Sequence, residues 1–175
     1  MRLFIAVKVP GEIEEELRRI QDGLNQEGLK LPKEFHITLK FLGEIDEKDI
    51  DSLKTKLTNI SFNSFKLTLY GLDVFTPKRI RVVHISVKPP EQVTELFEKI
   101  HKATDEIPID HPFTAHITIA RVKFLEDRKA FLDKVDKINV KPLEFNINAF
   151  YLIKSTLTGT GPIYEDMGEF PAKPL

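Results

Sequence analysis

FHITLKFLGE, residues 35–44, carries the tripeptide His-Ile-Thr at His36 to Thr38, and HPFTAHITIARV, residues 111–122, repeats it at His116 to Thr118, 80 positions further on. Under average composition a given His is followed by Ile-Thr on the order of once in a hundred times, so one copy would carry no information. The second copy does, because the same offset aligns residues far from the histidines. Ile5-Ala6-Val7-Lys8 falls on Ile85-Ser86-Val87-Lys88, Pro10 on Pro90, Glu15 on Glu95, Ile20 on Ile100 and Pro32 on Pro112. The chain reads as a duplicated unit of about 80 residues, with too few copies for a solenoid. A duplicated fold with a pseudo-two-fold axis sets equivalent residues face to face, here one histidine against the other.

Successive strand residues point to opposite faces, so His36 and Thr38 share one face and Ile37 and Leu39 the other, as do His116 and Thr118 against Ile117 and Ile119. Each motif strand thus buries its aliphatic residues and presents an imidazole and a hydroxyl to a groove. An imidazole gives or takes a proton near neutral pH, and a threonine hydroxyl donates a hydrogen bond to a phosphoryl oxygen. Two of each match displacement at phosphorus. One histidine takes a proton from the attacking water and the other gives one to the leaving oxygen, each typically contributing about 10²- to 10⁴-fold. Hydroxyls and a cation suffice to stabilise the remaining oxygens, so no metal is required. No H-x-x-x-H or H-E-x-x-H spacing is present to suggest one.

Outward from the motifs, Arg2 to Val9 reads as a strand, and Ile13, Leu17, Ile20 and Leu24 follow at helical spacing behind Pro10-Gly11. After the strand 35–42, which Gly43 stops, Ile50, Leu53, Leu57 and Ile60 predict a helix, and Phe65, Leu67 and Leu69 a strand that closes the first copy. The second copy repeats the order with strand 81–88, a helix through Val93, Leu96, Phe97 and Ile100, strand 113–122, a weaker helix over 126–135, and strand 143–153. The predicted class is α+β, a bilobal duplication of a β-α-β-α-β unit over about residues 1–78 and 79–158. Two mainly antiparallel sheets should face a central groove, with the helices outside. The tail, 159–175, contains Gly159, Gly161-Pro162 and Tyr164 and is expected to add a short edge strand. No linker or low-complexity stretch divides residues 1–175, which read as a single domain.

Composition narrows the function further. At 175 residues, 41% hydrophobic and 30% charged, the chain has enough apolar surface for a core. The absence of cysteine excludes thiolate catalysis, disulfides and cysteine-bound zinc, and fits a reducing cytoplasm. The apolar run from Leu3 to Val9 is too short for a signal segment, and nothing approaches a membrane span. A formal charge of −1 argues against a broad grip on duplex nucleic acid and leaves a small or single-stranded phosphate ligand.

The paired motifs His36-Ile37-Thr38-Leu39 and His116-Ile117-Thr118-Ile119 resemble those of the two-histidine phosphoesterase superfamily. With the opening RLFIAV and the closing GPIY, the longer strings resemble the bacterial and archaeal RNA 2',3'-cyclic phosphodiesterases, first described as 2'-5' RNA ligases. The resemblance implies hydrolysis of a terminal 2',3'-cyclic phosphate to a 2'-phosphate, and a slow, ATP-independent reverse reaction that forms 2'-5' linkages. It implies His36 as proton donor, His116 as proton acceptor, and Thr38 and Thr118 as phosphate donors, with neither metal nor cofactor. The partner would be RNA with a cyclic phosphate end, such as a tRNA fragment, or a nucleotide, bound by a cytoplasmic monomer. Arg121 stands where the family often has a basic residue, but an unbroken strand would turn it away from His116, so a bulge or the strand end must re-aim it.

Parity adds substrate-binding candidates of its own. Phe4 lies opposite Leu3 and Ile5 and is a candidate base-stacking surface; His84, its repeat equivalent, is a candidate polar contact. Phe41, just after the first motif, is a rival platform. Lys78-Arg79-Ile80-Arg81 is the densest positive patch and suits the steering of an RNA strand. Two other functions fit the same residues: a non-catalytic nucleotide- or RNA-binding module, and a phosphodiesterase for a small cyclic nucleotide.

Overall fold

RLFIAVK and VVHISVK, aliphatic and β-branched, form strands β1 (Arg2–Lys8) and β5 (Val82–Lys88) at the 80-residue offset. Each leads through a proline, Pro10 or Pro90, into a helix: α1 (Gly11–Leu24) and α3 (Glu91–Ala103). A proline costs nothing at a helix start, where its missing N–H would have no intrahelical partner. Ile13, Leu17, Ile20 and Leu24 of α1, and Val93, Leu96, Phe97 and Ile100 of α3, are buried at the predicted spacing. Truncating a fully buried residue such as Leu17 to Ala should cost about 2–5 kcal/mol.

The computed structural model describes residues 1–175. The remaining elements are β2 (Leu29–Lys30), β3 (His36–Glu44), α2 (Ile50–Thr58), β4 (Phe65–Val74), β6 (His116–Val122), α4 (Arg128–Lys137), β7 (Glu144–Ile147), β8 (Ala149–Thr158) and β9 (Gly161–Pro171). This is the α+β class expected, with two antiparallel sheets. One has the order β3-β1-β8-β9 and the other β2-β6-β5-β4-β7. No helix is long and apolar enough to cross a membrane.

The sheets do not coincide with the two sequence copies. Strand β4, which closes the first copy, pairs with β5 of the second, and β8 of the second pairs with β1 of the first. The short connection between Val74 and Val82 makes β4–β5 a hairpin, and neighbouring antiparallel strands pair most readily. The exchange ties the sheets together: 39 buried residues drawn from both form one continuous core.

The tail departs from the short edge strand expected. Strand β9 runs for 11 residues and pairs with β8 along its length, from Ala149 with Pro171 to Thr158 with Gly161. Gly161, at φ +122°, makes the return that an L side chain would resist. Glycine and proline at both ends of β9 break the alternation by which a strand is read from sequence.

Candidate active site

Both motif strands carry a bulge at the same place. Against β1, β3 pairs Ile37 with Val7, Thr38 with Ala6 and Lys40 with Ile5, leaving Leu39 unpaired. Against β5, β6 pairs Ile117 with Ile85, Thr118 with His84 and Ala120 with Val83, leaving Ile119 unpaired. Each extra residue puts two consecutive side chains into the core, Leu39-Lys40 and Ile119-Ala120, and shifts the parity of the rest of its strand. Phe41 and Arg121 therefore turn onto the faces that carry the histidines.

Packing from the opposite helix braces each bulge. The Gln21 amide of α1 donates to Ile119 O (3.1 Å) and Pro32 O (3.0 Å). Lys40, 2% exposed, donates to Thr104 O (2.8 Å) at the end of α3, and its Nζ lies 3.0 Å from both Thr104 Oγ1 and His101 Nδ1. Burial holds the Lys40 pKa below the usual lysine range.

On the first wall, the His36 ring lies 5.1 Å from Phe4 and 5.5 Å, edge-on, from Tyr164 of β9. Burial lowers the His36 pKa to about 4, with the Arg121 guanidinium and His116 adding to the shift. These couplings place Arg121 and the two histidines in one electrostatic neighbourhood. β3 and β6 approach within 8 Å, Cα to Cα, although they belong to different sheets.

On the second wall, His116 Nδ1 lies 2.7 Å from Thr114 O. A carbonyl only accepts, so Nδ1 carries the hydrogen and the neutral ring keeps its lone pair on Nε2. Burial lowers the His116 pKa, and the Thr114 carbonyl partly opposes it. His84 stacks on Phe75 at 3.9 Å and lies 5.5 Å from His116. Burial first, then His116, lowers the His84 pKa to about 4, and its Nδ1 has no hydrogen-bond partner.

Of the residues singled out from sequence, His36, Thr38 and Phe41 lie on the first wall and His116, Thr118 and Arg121 on the second. Phe4 and His84 need correction as direct contacts. Phe4 is 3% exposed, covered by His36, Phe41 and Tyr164, so it supports His36 and offers no open face to a base. His84 is 4% exposed and sits behind His116 against Phe75. Phe41, 55% exposed, is the open aromatic. Sequence reasoning missed Tyr164 and Phe75. Tyr164 belongs to the GPIY string and was open to notice; Phe75 sits in a connection where no parity rule operates.

The chain is similar over nearly its whole length to known proteins. The profile of the 2'-5' RNA ligase superfamily matches residues 9–159. A Methanocaldococcus jannaschii protein named RNA 2',3'-cyclic phosphodiesterase is 34% identical over 176 residues, which cover 97% of this chain and 100% of that one. An Archaeoglobus fulgidus protein of the same name is 35% identical over 177 residues, 97% of this chain and 99% of its own. A crystal structure of a Thermus thermophilus protein superposes with a TM-score of 0.83 at 28% identity, covering 99% of each chain.

Proposed function

The chain belongs to the 2'-5' RNA ligase superfamily, and from that premise we propose that it hydrolyses the terminal 2',3'-cyclic phosphate of RNA to a 2'-phosphate. His116 Nε2 takes a proton from water as the water oxygen bonds to phosphorus. The bond from phosphorus to O3' breaks, and His36 delivers a proton to O3'. The products are a 2'-phosphate and a 3'-hydroxyl. Thr38 and Thr118 donate to the non-bridging oxygens, and Arg121 balances their negative charge. A 5'-hydroxyl in place of water would leave a 2'-5' linkage.

The observation that carries this reading is the tautomer of His116. Its Nδ1 hydrogen is directed at Thr114 O, so in the neutral ring Nε2 is the free acceptor, which is the state the proposed base needs. His36, at about 4, is neutral in the empty site at pH 7. A bound phosphodiester brings a negative charge beside it, offsets Arg121 and favours the imidazolium. The substrate thereby supplies the condition under which its leaving group is protonated.

Product analysis with an RNA ending in a 2',3'-cyclic phosphate, in EDTA, tests the proposal. A 2'-phosphate is expected. A 3'-phosphate, or activity lost to EDTA and restored by zinc or manganese, would overturn it. We also propose that residues 1–175 act as one catalytic domain, a monomer in the cytoplasm; the continuous core supports the single domain.

A further inference from the structure

Beyond Arg121, the ends of β5 and β6 border a cavity of about 350 Å³. Its floor includes the buried Ile80 and Val122, and its rim carries Lys78, Arg79, Arg81, Lys123 and Arg128, with no carboxylate among the lining residues. In a chain of net charge −1 this is a strong local bias, and none of the chain's ion pairs uses these five cations. The exposed ring of Phe124 lies among them.

The rim is held in place. Arg128 donates to Pro77 O (3.2 Å) and Lys78 O (3.0 Å), fixing the basic connection against α4. Gly28 O accepts from Lys123 N (2.7 Å) and Phe124 N (3.4 Å). A Cβ on Gly28, at φ +90°, would lie 2.2 Å from Phe124 O, so only glycine lets the chain pass this close. An aromatic face and unpaired cations are what a single-stranded nucleic acid needs, the ring for a base and the charges for the backbone.

The cavity is also in register with the site. His84 and Thr118 are paired neighbours, and Arg81 and Val122 lie three and four residues further along the same strands, about 10–14 Å away. Resting on the function proposed above, we propose that this cavity binds backbone phosphates of the RNA preceding its cyclic end. It thereby makes the protein prefer an oligonucleotide to a cyclic mononucleotide.

The test compares the wild type with the triple variant Lys78→Ser, Arg79→Ser, Lys123→Ser. For a short RNA ending in a 2',3'-cyclic phosphate, kcat/KM should fall about 10- to 100-fold through KM. The plot of log kcat/KM against log salt should become shallower by about 0.7 per lost phosphate contact. For a nucleoside 2',3'-cyclic phosphate, kcat/KM should stay unchanged. Equal loss on both substrates, or loss on neither, overturns the proposal. So does millimolar inorganic phosphate that competes with the mononucleotide in the wild type and not in the variant, which would make the cavity a small-anion site. Fluorescence anisotropy with the same RNA ending in a 2'-phosphate reads binding without turnover. Weaker RNA binding by the variant, in a protein that hydrolyses neither cyclic phosphate, upholds the cavity while refuting the catalytic function.

Discussion

Phe41 and Arg121 are equivalent residues 80 positions apart, each turned onto its histidine's face by the bulge before it, and they are chemically unlike. Elsewhere the motif pair is nearly symmetric, so this exchange of a ring for a cation gives the groove a direction. In the proposed function Arg121 is the residue to answer a phosphate's charge, and Phe41 the surface to meet a base.

Arg121→Gln should therefore lower kcat/KM by about 10²- to 10³-fold, the scale of losing one transition-state donor, with the fold unchanged. Phe41→Ala should act mainly on KM, by about 5- to 150-fold, since base stacking contributes about 1–3 kcal/mol. Steady-state kinetics on a cyclic-phosphate RNA separate the two. A kcat effect for Phe41→Ala larger than that for Arg121→Gln would reverse the roles.

The lowered pKa values of the histidines set the pH dependence. Free enzyme with one histidine protonated and the other neutral is most abundant between their two pKa values. Since that of His36 is about 4 and that of His116 lies below its usual value, kcat/KM should be bell-shaped with its maximum below about pH 6.5. Arg121→Gln removes a positive neighbour from both rings and should move the profile to higher pH. A wild-type rate that climbs steadily from about pH 5 to 9 is incompatible with this acid and base pair.

That His36 shares a strand face with Thr38, and His116 with Thr118, was legible because period-two alternation is a local property. Arg121 and Phe41 required a break in that alternation. The bulges depend on Gln21 and Lys40 reaching between elements remote in sequence, which no strand pattern records. Strand exchange was hidden for a similar reason: the offset shows which segments are equivalent and says nothing of whether β4 pairs within its own copy or with β5.

His84 makes a separate prediction, on stability. Its folded pKa of about 4 lies below the unfolded value of about 6.5, so between these limits the unfolded chain binds the extra proton. Stability should therefore fall as pH drops from about 6.5 to 4, with His84 accounting for about 2 kcal/mol at pH 5. His84→Phe places at this position the residue its repeat equivalent already has. Urea denaturation at about pH 7 and pH 5 should show a smaller loss in the variant than in the wild type, and equal losses would show that His84 is not the titrating group.

The division of labour between the histidines is tested at the leaving group. Sulfur in place of O3' departs as a thiolate, which is stable near neutral pH where an alkoxide is not, so the acid becomes dispensable. His36→Ala should be severely slowed on the oxygen substrate and largely rescued on the sulfur one. His116→Ala lacks the base that activates water, a need that the leaving group does not alter, and should stay slow on both. The roles proposed for the two rings predict this order, and the hydrogen bond from His116 Nδ1 to Thr114 O supports it by leaving Nε2 free to accept in the neutral ring. Rescue of His116→Ala instead would make His36 the base, and rescue of neither would mean that the two rings do not divide the proton transfers.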